Sequence, residues 1–200
     1  MSQALQSDVL FYQRFLKCHG FYTDILDGDW GRNTEAAHQA FQQQTQQIAA
    51  QEGTFDTRSE GNIMTLSPKA QTAVRRFLAK SLAAGRDARV LSGTRTYAEQ
   101  DALYAKGRTK PGPIVTNARG GQSNHNFGIA WDIGLFEGTK YILDDRPYKE
   151  LAKLSLPAFQ DLLWGGNWRS LKDYPHYELK PICNGLAALR KNFEGGVAYV

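Results

Sequence analysis

The stretch SNHNFGIAWD, residues 123–132, carries the strongest structural signal in the chain. Glycine tolerates sharp bends, so Gly128 can separate a loop that carries His125 from a strand that begins at Ile129. Side chains alternate along a strand, so Asp132 would lie among small residues on one face, with apolar residues on the other (Ile129, Trp131 and Ile133). The pattern predicts a carboxylate held on a rigid strand with an apolar core behind it.

A second short segment, DYPH at residues 173–176, adds another histidine to this pattern. Two imidazoles and one carboxylate form the donor set of a catalytic zinc site, which uses three protein ligands and leaves one position for water. A single histidine or aspartate in a loop is more often a solvated or hydrogen-bonded side chain, so the prediction depends on the group. The sequence therefore favours a zinc site built from His125, Asp132 and His176.

Helix and strand signals alternate along the rest of the chain. An apolar stripe at residues 5–16 predicts a first helix, Ser67 followed by proline predicts the start of another, and Thr96 with Glu99 forms a capping box. Residues 88–95 and 129–136 are predicted strands, and residues 156–164 (LPAFQDLLW) are predicted to form a helix. The fold class that follows is α+β.

Charge and composition divide the chain into two parts. Residues 1–65 hold four Lys and Arg against eight Asp and Glu, whereas residues 66–200 hold twenty against twelve. Six of the ten residues from 42 to 51 are glutamine, and the residues that follow are mostly polar. We expect a small N-terminal module at 1–45, a linker at 46–65 and a catalytic domain at 66–200.

The motif S-x-H-x-x-G-x-A-x-D, followed later by an acidic residue three positions before a second histidine, resembles the zinc peptidases that cut peptidoglycan stem peptides. That family (M15) includes D-alanyl-D-alanine carboxypeptidases and dipeptidases, and the L-alanyl-D-glutamate endopeptidases of wall-remodelling bacteria and phage endolysins. The resemblance covers residues 66–180 and implies a small antiparallel sheet. The WGGNW segment at 164–168 is similar to the endopeptidase branch, although Asn167 stands where that branch often has an acidic residue.

The resemblance also implies roles for individual residues: zinc ligands (His125, Asp132 and His176), a general base (Asp173), a cation for the oxyanion or a substrate carboxylate (Arg95), and substrate contacts (Ser123 and Gln100). Glu178 is an alternative base, because it lies two residues after His176 and would share its face in a strand. We favour Asp173, whose position matches the family.

Residues 5–42 resemble the three-helix peptidoglycan-binding module found beside many wall hydrolases. The matching residues are Gln13, Leu16, Gly20, Tyr22, Asp27-Gly28, Gly31, Thr34 and Phe41-Gln42. Most of these positions are structural, so a helical bundle without a ligand is the alternative. Tyr22 and Trp30 can either stack on sugar rings or belong to the core.

Together these features predict a zinc endopeptidase that acts on bacterial peptidoglycan, at the L-alanyl-D-glutamate bond, and lyses bacteria as an endolysin. One alternative is a D-alanyl-D-alanine carboxypeptidase or dipeptidase. Another, from a different class, is a non-catalytic zinc protein that binds the cell wall. Nucleic-acid binding is disfavoured, because the basic residues are scattered among acidic ones and no recognition motif accompanies them.

The sequence contains no long uncharged apolar run, and its first ten residues lack the basic and apolar regions of a signal peptide. We therefore expect a monomer without membrane insertion. It would be synthesised in the cytoplasm and would reach the wall after the inner membrane is permeabilised. Cys18 and Cys183 are predicted to be free thiols.

Overall fold

A computed structural model describes residues 3–200. The α-helices are α1 (Gln3–Ser7), α2 (Val9–Cys18), α3 (Arg32–Glu52), α4 (Thr57–Ile63), α5 (Pro68–Ala83), α6 (Tyr97–Ala105), α7 (Asp145–Ser155) and α8 (Leu186–Glu194). The strands are β1 (Asp87–Ser92), β2 (Ala130–Glu137), β3 (Lys140–Tyr141), β4 (Leu162–Trp164) and β5 (His176–Leu179). Short 3-10 helices lie at Asn124–Phe127, Leu156–Ala158 and Gly165–Asn167.

The strands form one antiparallel sheet in the order β1-β2-β5-β4, and β3 pairs with the far end of β2. Trp131 and Ile133 of β2 are fully buried, while the side chain of Asp132 between them is a quarter exposed. This alternation is the one predicted from the sequence. The predicted α+β class with a small antiparallel sheet is confirmed.

Gly128 makes the bend that leads into β2. Its φ of +67° lies in the left-handed region, which favours glycine. A Cβ at this position would lie 2.6 Å from Cε2 of Phe15 in α2. The glycine therefore serves both the turn and the close packing of α2 against it.

The predicted helix starts are present. Ser67 caps α5 by accepting a hydrogen bond from the backbone N–H of Ala70. Thr96 and Glu99 form the capping box of α6: each side chain accepts a hydrogen bond from the backbone N–H of the other residue. The box holds the chain where β1 gives way to α6, and Arg95 immediately precedes it.

The predicted helix at 156–164 is wrong over most of its length. Only residues 156–158 turn helically, and Leu162–Trp164 form β4, which pairs with β5. Pro157 stands within the one turn that does form. A short apolar run fits a buried strand as well as a helix, and here pairing with β5 decides between them.

The stretch expected to be a linker is largely helical. Its first residues continue α3 to Glu52, and the stretch from Thr57 forms α4. Arg75 of α5 is buried and donates two hydrogen bonds of 2.7 Å to the carboxylate of Glu60. Residues 46–65 are thus packed into the fold, whereas the division into an N-terminal module and a catalytic domain stays a prediction.

The front helices share one apolar core with the sheet. Phe11 of α2 packs against Phe193 of α8, with ring centroids 5.0 Å apart. Tyr199, near the end of the chain, is buried, and its hydroxyl donates a hydrogen bond of 2.5 Å to the carbonyl of Phe127. Both ends of the chain therefore support the segment that carries His125.

Among residues 3–200, no helix has the length and apolar character needed to cross a bilayer.

Phe15→Ala tests the shared core. Phe15 is fully buried and contacts both Phe41 and Gly128, so we expect the free energy of unfolding to fall by about 3–5 kcal/mol. Urea unfolding followed by far-UV circular dichroism and by tryptophan fluorescence should give one coincident transition. The control Leu82→Ala, at a side chain that is 66% exposed, should change stability by about 0.5 kcal/mol or less. Two separate transitions, with only one shifted by Phe15→Ala, would contradict a shared core.

Candidate metal centre

Three side chains from separate elements meet at one end of the sheet. His125 comes from the 3-10 helix at 124–127, Asp132 from β2 and His176 from the first position of β5. Oδ1 of Asp132 lies 3.3 Å from Nε2 of His125 and 3.1 Å from Nδ1 of His176. One ligand atom from each residue lies within 4.8 Å of the others. The structure thus brings together the three residues that the sequence singled out, and their role as ligands stays a prediction.

Both imidazole rings are held by a second hydrogen bond. Nδ1 of His125 lies 2.8 Å from the carbonyl oxygen of Gly93, and Nε2 of His176 lies 2.8 Å from Oε2 of Glu178. An imidazole that donates its N–H from one nitrogen presents the lone pair of the other. Nε2 of His125 and Nδ1 of His176 therefore both face Asp132 as potential ligand atoms.

This donor set fits zinc. Tetrahedral zinc with bonds of about 2.0–2.1 Å to nitrogen and oxygen separates neighbouring donor atoms by about 3.3 Å. The two separations measured from Asp132 match that spacing. Two nitrogens and one oxygen suit a borderline metal ion, and three protein ligands leave one position for water or substrate.

The charges at the centre support a carboxylate between two imidazoles. Burial opposes ionisation of Asp132, but the adjacent His125 and His176 outweigh burial and hold the pKa of Asp132 well below its usual range. Burial alone would lower the pKa of His176. Hydrogen bonds to Asp132 and Glu178 outweigh burial and raise the pKa of His176 to about 9.

A cleft of about 670 Å³ opens over the three residues. Asp173 and Arg95 line it together with the three candidate ligands. Burial, together with the negative charge of Asp132, raises the pKa of Asp173. Burial lowers the pKa of Arg95, although the surrounding carboxylates favour its charged form. A carboxyl group and a guanidinium therefore face the same space as the three candidate ligands.

The WGGNW segment supports Asp173 and His176 from behind. The carbonyl of Gly165 accepts a hydrogen bond of 3.2 Å from the backbone N–H of Asp173, and the indole of Trp164 donates to the carbonyl of Tyr174. A Cβ at Gly165 would collide with the carbonyl oxygen of Asp173. The glycine allows a close backbone approach, which explains the segment in structural terms.

The two predicted substrate contacts have different positions. Ser123 lines the cleft beside His125. Gln100 is 1% exposed, and its amide donates to Thr116 Oγ1 and to the carbonyl of Ala118. This amide of α6 thus holds the loop that forms one wall of the cleft, and the role of Gln100 as a substrate contact stays a prediction.

Sequence reasoning missed one polar residue that organises the site. The side chain of Asn126 is buried, accepts a hydrogen bond from the backbone N–H of Gly121 and donates to the carbonyl of Arg95. It joins the segment of His125 to the segment of Arg95. The signal for Asn126 in the sequence is its place within SNHNFGIAWD, because an asparagine in a loop belongs to no helix or strand periodicity.

Comparison with known proteins agrees with this geometry. Residues 116–179 match a peptidase M15 family model, described as D-alanyl-D-alanine carboxypeptidase. The matched segment includes the three candidate ligands and Asp173. The chain is also 41% identical over 105 residues to the peptidoglycan L-alanyl-D-glutamate endopeptidase CwlK of Bacillus subtilis, an alignment that covers 48% of this chain and 63% of that protein. The chain thus spans somewhat less than two thirds of this relative.

One solved structure shows a similar fold, and a second aligns more weakly. The L-Ala D-Glu endopeptidase ChiX of Serratia marcescens aligns with a TM-score of 0.50 and 26% identity over 66% of this chain and 92% of that one. VanYB in complex with D-alanine-D-alanine aligns with a TM-score of 0.45 and 19% identity, over 66% of this chain and 79% of that one. The predicted resemblance to peptidoglycan peptidases is confirmed over the matched segments.

His125→Ala tests the metal centre directly. Removing one of three ligands should abolish binding of about one equivalent of zinc, measured by elemental analysis after equilibrium dialysis. Asp173→Ala should keep the metal, because Asp173 lies in the cleft outside the ligand group. Circular dichroism checks that both variants fold. A folded His125→Ala protein that retains a full equivalent of zinc at wild-type affinity would exclude His125 as a ligand.

Proposed function

We propose that the chain is a zinc-dependent peptidase that hydrolyses peptidoglycan stem peptides at the L-alanyl-D-glutamate bond. The observation that carries this proposal is the shared cleft in which Asp173 and Arg95 face the group of His125, Asp132 and His176. The 41% identity to an endopeptidase of that specificity supports the choice of bond.

His125, Asp132 and His176 would hold a zinc ion, which would supply Lewis-acid chemistry for activating water and polarising the carbonyl of the scissile amide. The carboxylate of Asp173 accepts a proton from the attacking water. The same carboxyl, now protonated, donates that proton to the leaving amine. Burial and the nearby Asp132 raise the pKa of Asp173, which makes its carboxylate a stronger base for the first of these steps.

Arg95 supplies fixed positive charge to the same cleft. Its backbone N–H donates to the carbonyl of His125, which holds the residue beside the metal ligands. Nε of Arg95 is buried and has no hydrogen-bond partner among the residues that the structure describes. Because Arg95 lines the cleft, its guanidinium can stabilise the negative charge that develops on the carbonyl oxygen, or bind a substrate carboxylate.

The walls of the cleft add apolar surface. Trp168 and Leu171 line it from the segment before β5, and Val115 and Leu186 line it from other segments. All four side chains are at least one third exposed. Arg95 and Asp173 lie in this cleft beside the candidate ligands. A cleft with a cation, a carboxylate and apolar walls fits a short peptide that carries both a methyl side chain and a carboxylate.

We propose that the front helices bind peptidoglycan, as the sequence resemblance implies. Gln13 explains several of the matching residues: its side chain donates to Asp27 Oδ1 at 2.7 Å and accepts from the backbone N–H of Gly28 at 2.9 Å. These contacts are structural, so they support the module fold rather than a particular ligand. Binding of the whole chain to sacculi is the property to measure.

Bacteriolysis as an endolysin belongs to the same proposal. Expression inside a bacterium should cause lysis when a membrane-permeabilising protein is expressed with it. Expression of the Asp173→Ala protein under the same conditions should leave the cells intact. Lysis by that variant would show that the peptidase chemistry is not the cause.

Digestion of purified peptidoglycan tests the reaction. Mass spectrometry should show new N-terminal D-glutamate, abolished by a chelator and reduced at least about 100-fold by Asp173→Ala with zinc still bound. The control Asp161→Ala, at an exposed carboxylate that pairs with Lys69, should keep wild-type turnover. Release of free D-alanine would instead indicate a carboxypeptidase. Binding to sacculi without any cleavage by the zinc-loaded protein would overturn the proposal.

A further inference from the structure

We propose that Glu178 is a positioning residue that fixes the ring of His176, so that Nδ1 binds the metal while Nε2 donates its hydrogen to the glutamate. This inference rests on the proposed zinc centre. It assigns Glu178 a role distinct from that of a general base.

The hydrogen bonds around Glu178 carry the inference. Oε2 of Glu178 lies 2.8 Å from Nε2 of His176 and 2.8 Å from Nδ2 of Asn124. Glu178 and His176 are both buried. This carboxylate oxygen therefore accepts two hydrogen bonds. One of them comes from Nε2 of His176, the ring nitrogen that does not face Asp132.

The sheet places Glu178 where it can do this. Glu178 lies two residues after His176 in β5, so the two side chains share one face of the strand. Ala130 of β2 is the pairing partner of Glu178, and Asp132 is that of His176. The small side chain of Ala130 occupies the position beside the carboxylate. The register therefore sets a row in which glutamate, imidazole and aspartate follow one another.

Glu178 also links the two elements that carry the histidines. Asn124 is the first residue of the 3-10 helix that contains His125, while Glu178 and His176 belong to β5. The hydrogen bond from Asn124 to Glu178 thus spans from one ligand-bearing element to the other. Loss of the carboxylate would release the ring of His176 and loosen the 3-10 helix at the same time.

Zinc affinity measured by chelator competition tests this role without any substrate. Replacement of a carboxylate that orients a metal-bound histidine typically weakens metal binding about 10–100-fold, and we expect that loss for Glu178→Ala. Glu178→Gln keeps an oxygen that can accept both hydrogen bonds, so it should stay within about 5-fold of wild type. The matched control Glu137→Ala, at an exposed glutamate of β2, should bind zinc like the wild type.

The tautomer of His176 provides a second readout on the unmodified chain. Long-range proton–nitrogen spectra of the zinc-loaded wild type should show Nε2 protonated and Nδ1 bound to metal. This measurement keeps the inference testable even if Glu178→Ala does not fold. Metal bound at Nε2 of His176 would overturn it.

The outcomes separate this inference from the proposed function. Wild-type zinc affinity in a folded Glu178→Ala protein would overturn the positioning role, and loss of turnover with that affinity retained would identify Glu178 as the base. If the wild type binds zinc but cleaves no peptidoglycan, the proposed function fails, while the affinity series and the tautomer still decide the role of Glu178.

Discussion

The antiparallel pairing of β2 with β5 is the constraint on which the site depends. Asp132 is the pairing partner of His176, so one carboxylate and one imidazole stand side by side on the same face of the sheet. A slip of one residue would turn one of these side chains to the opposite face and into the apolar core. The cluster of Trp131, Tyr177 and Trp164 beneath the strands opposes such a slip, because it would have to be exposed. Apolar packing at one face of the sheet thus fixes the positions of the candidate ligands at the other.

Electrostatics then determines which charges this site can hold. Asp132 would be costly to bury alone, and it remains ionised because two imidazoles lie beside it. The same neighbourhood has the opposite effect on Asp173, whose pKa rises because the nearby carboxylate adds to the cost of burial. The two aspartates thus have opposite pKa shifts, which suits the roles proposed for them: an anionic ligand for Asp132 and a proton carrier for Asp173.

Local signals in the sequence predicted much of this arrangement. The bend at Gly128, the alternation along β2 and the cap at Thr96 depend on a few neighbouring residues, and all of them are present in the structure. The strand at 162–164 and the helix through residue 52 were not predicted, because pairing with β5 and packing against α5 decide them. Glutamine is a good helix former, so the glutamine-rich stretch continues α3, whereas its polarity and the glycines that follow had indicated a linker. The placement of Gln100 and the contacts of Glu178 depend on side-chain geometry that spacing along the chain does not contain.

The contacts of Phe15 and Tyr199 with the segment around Gly128 have a consequence for protein engineering. Modular hydrolases invite the exchange of one wall-binding unit for another by cutting at a linker. In this chain, a cut near residue 65 would remove α2, expose the side chain of Phe193 to water and uncover the turn at Gly128. The resulting fragment would expose an apolar, aggregation-prone surface next to the 3-10 helix that carries His125. A successful chimera would need to redesign that surface as well as the junction.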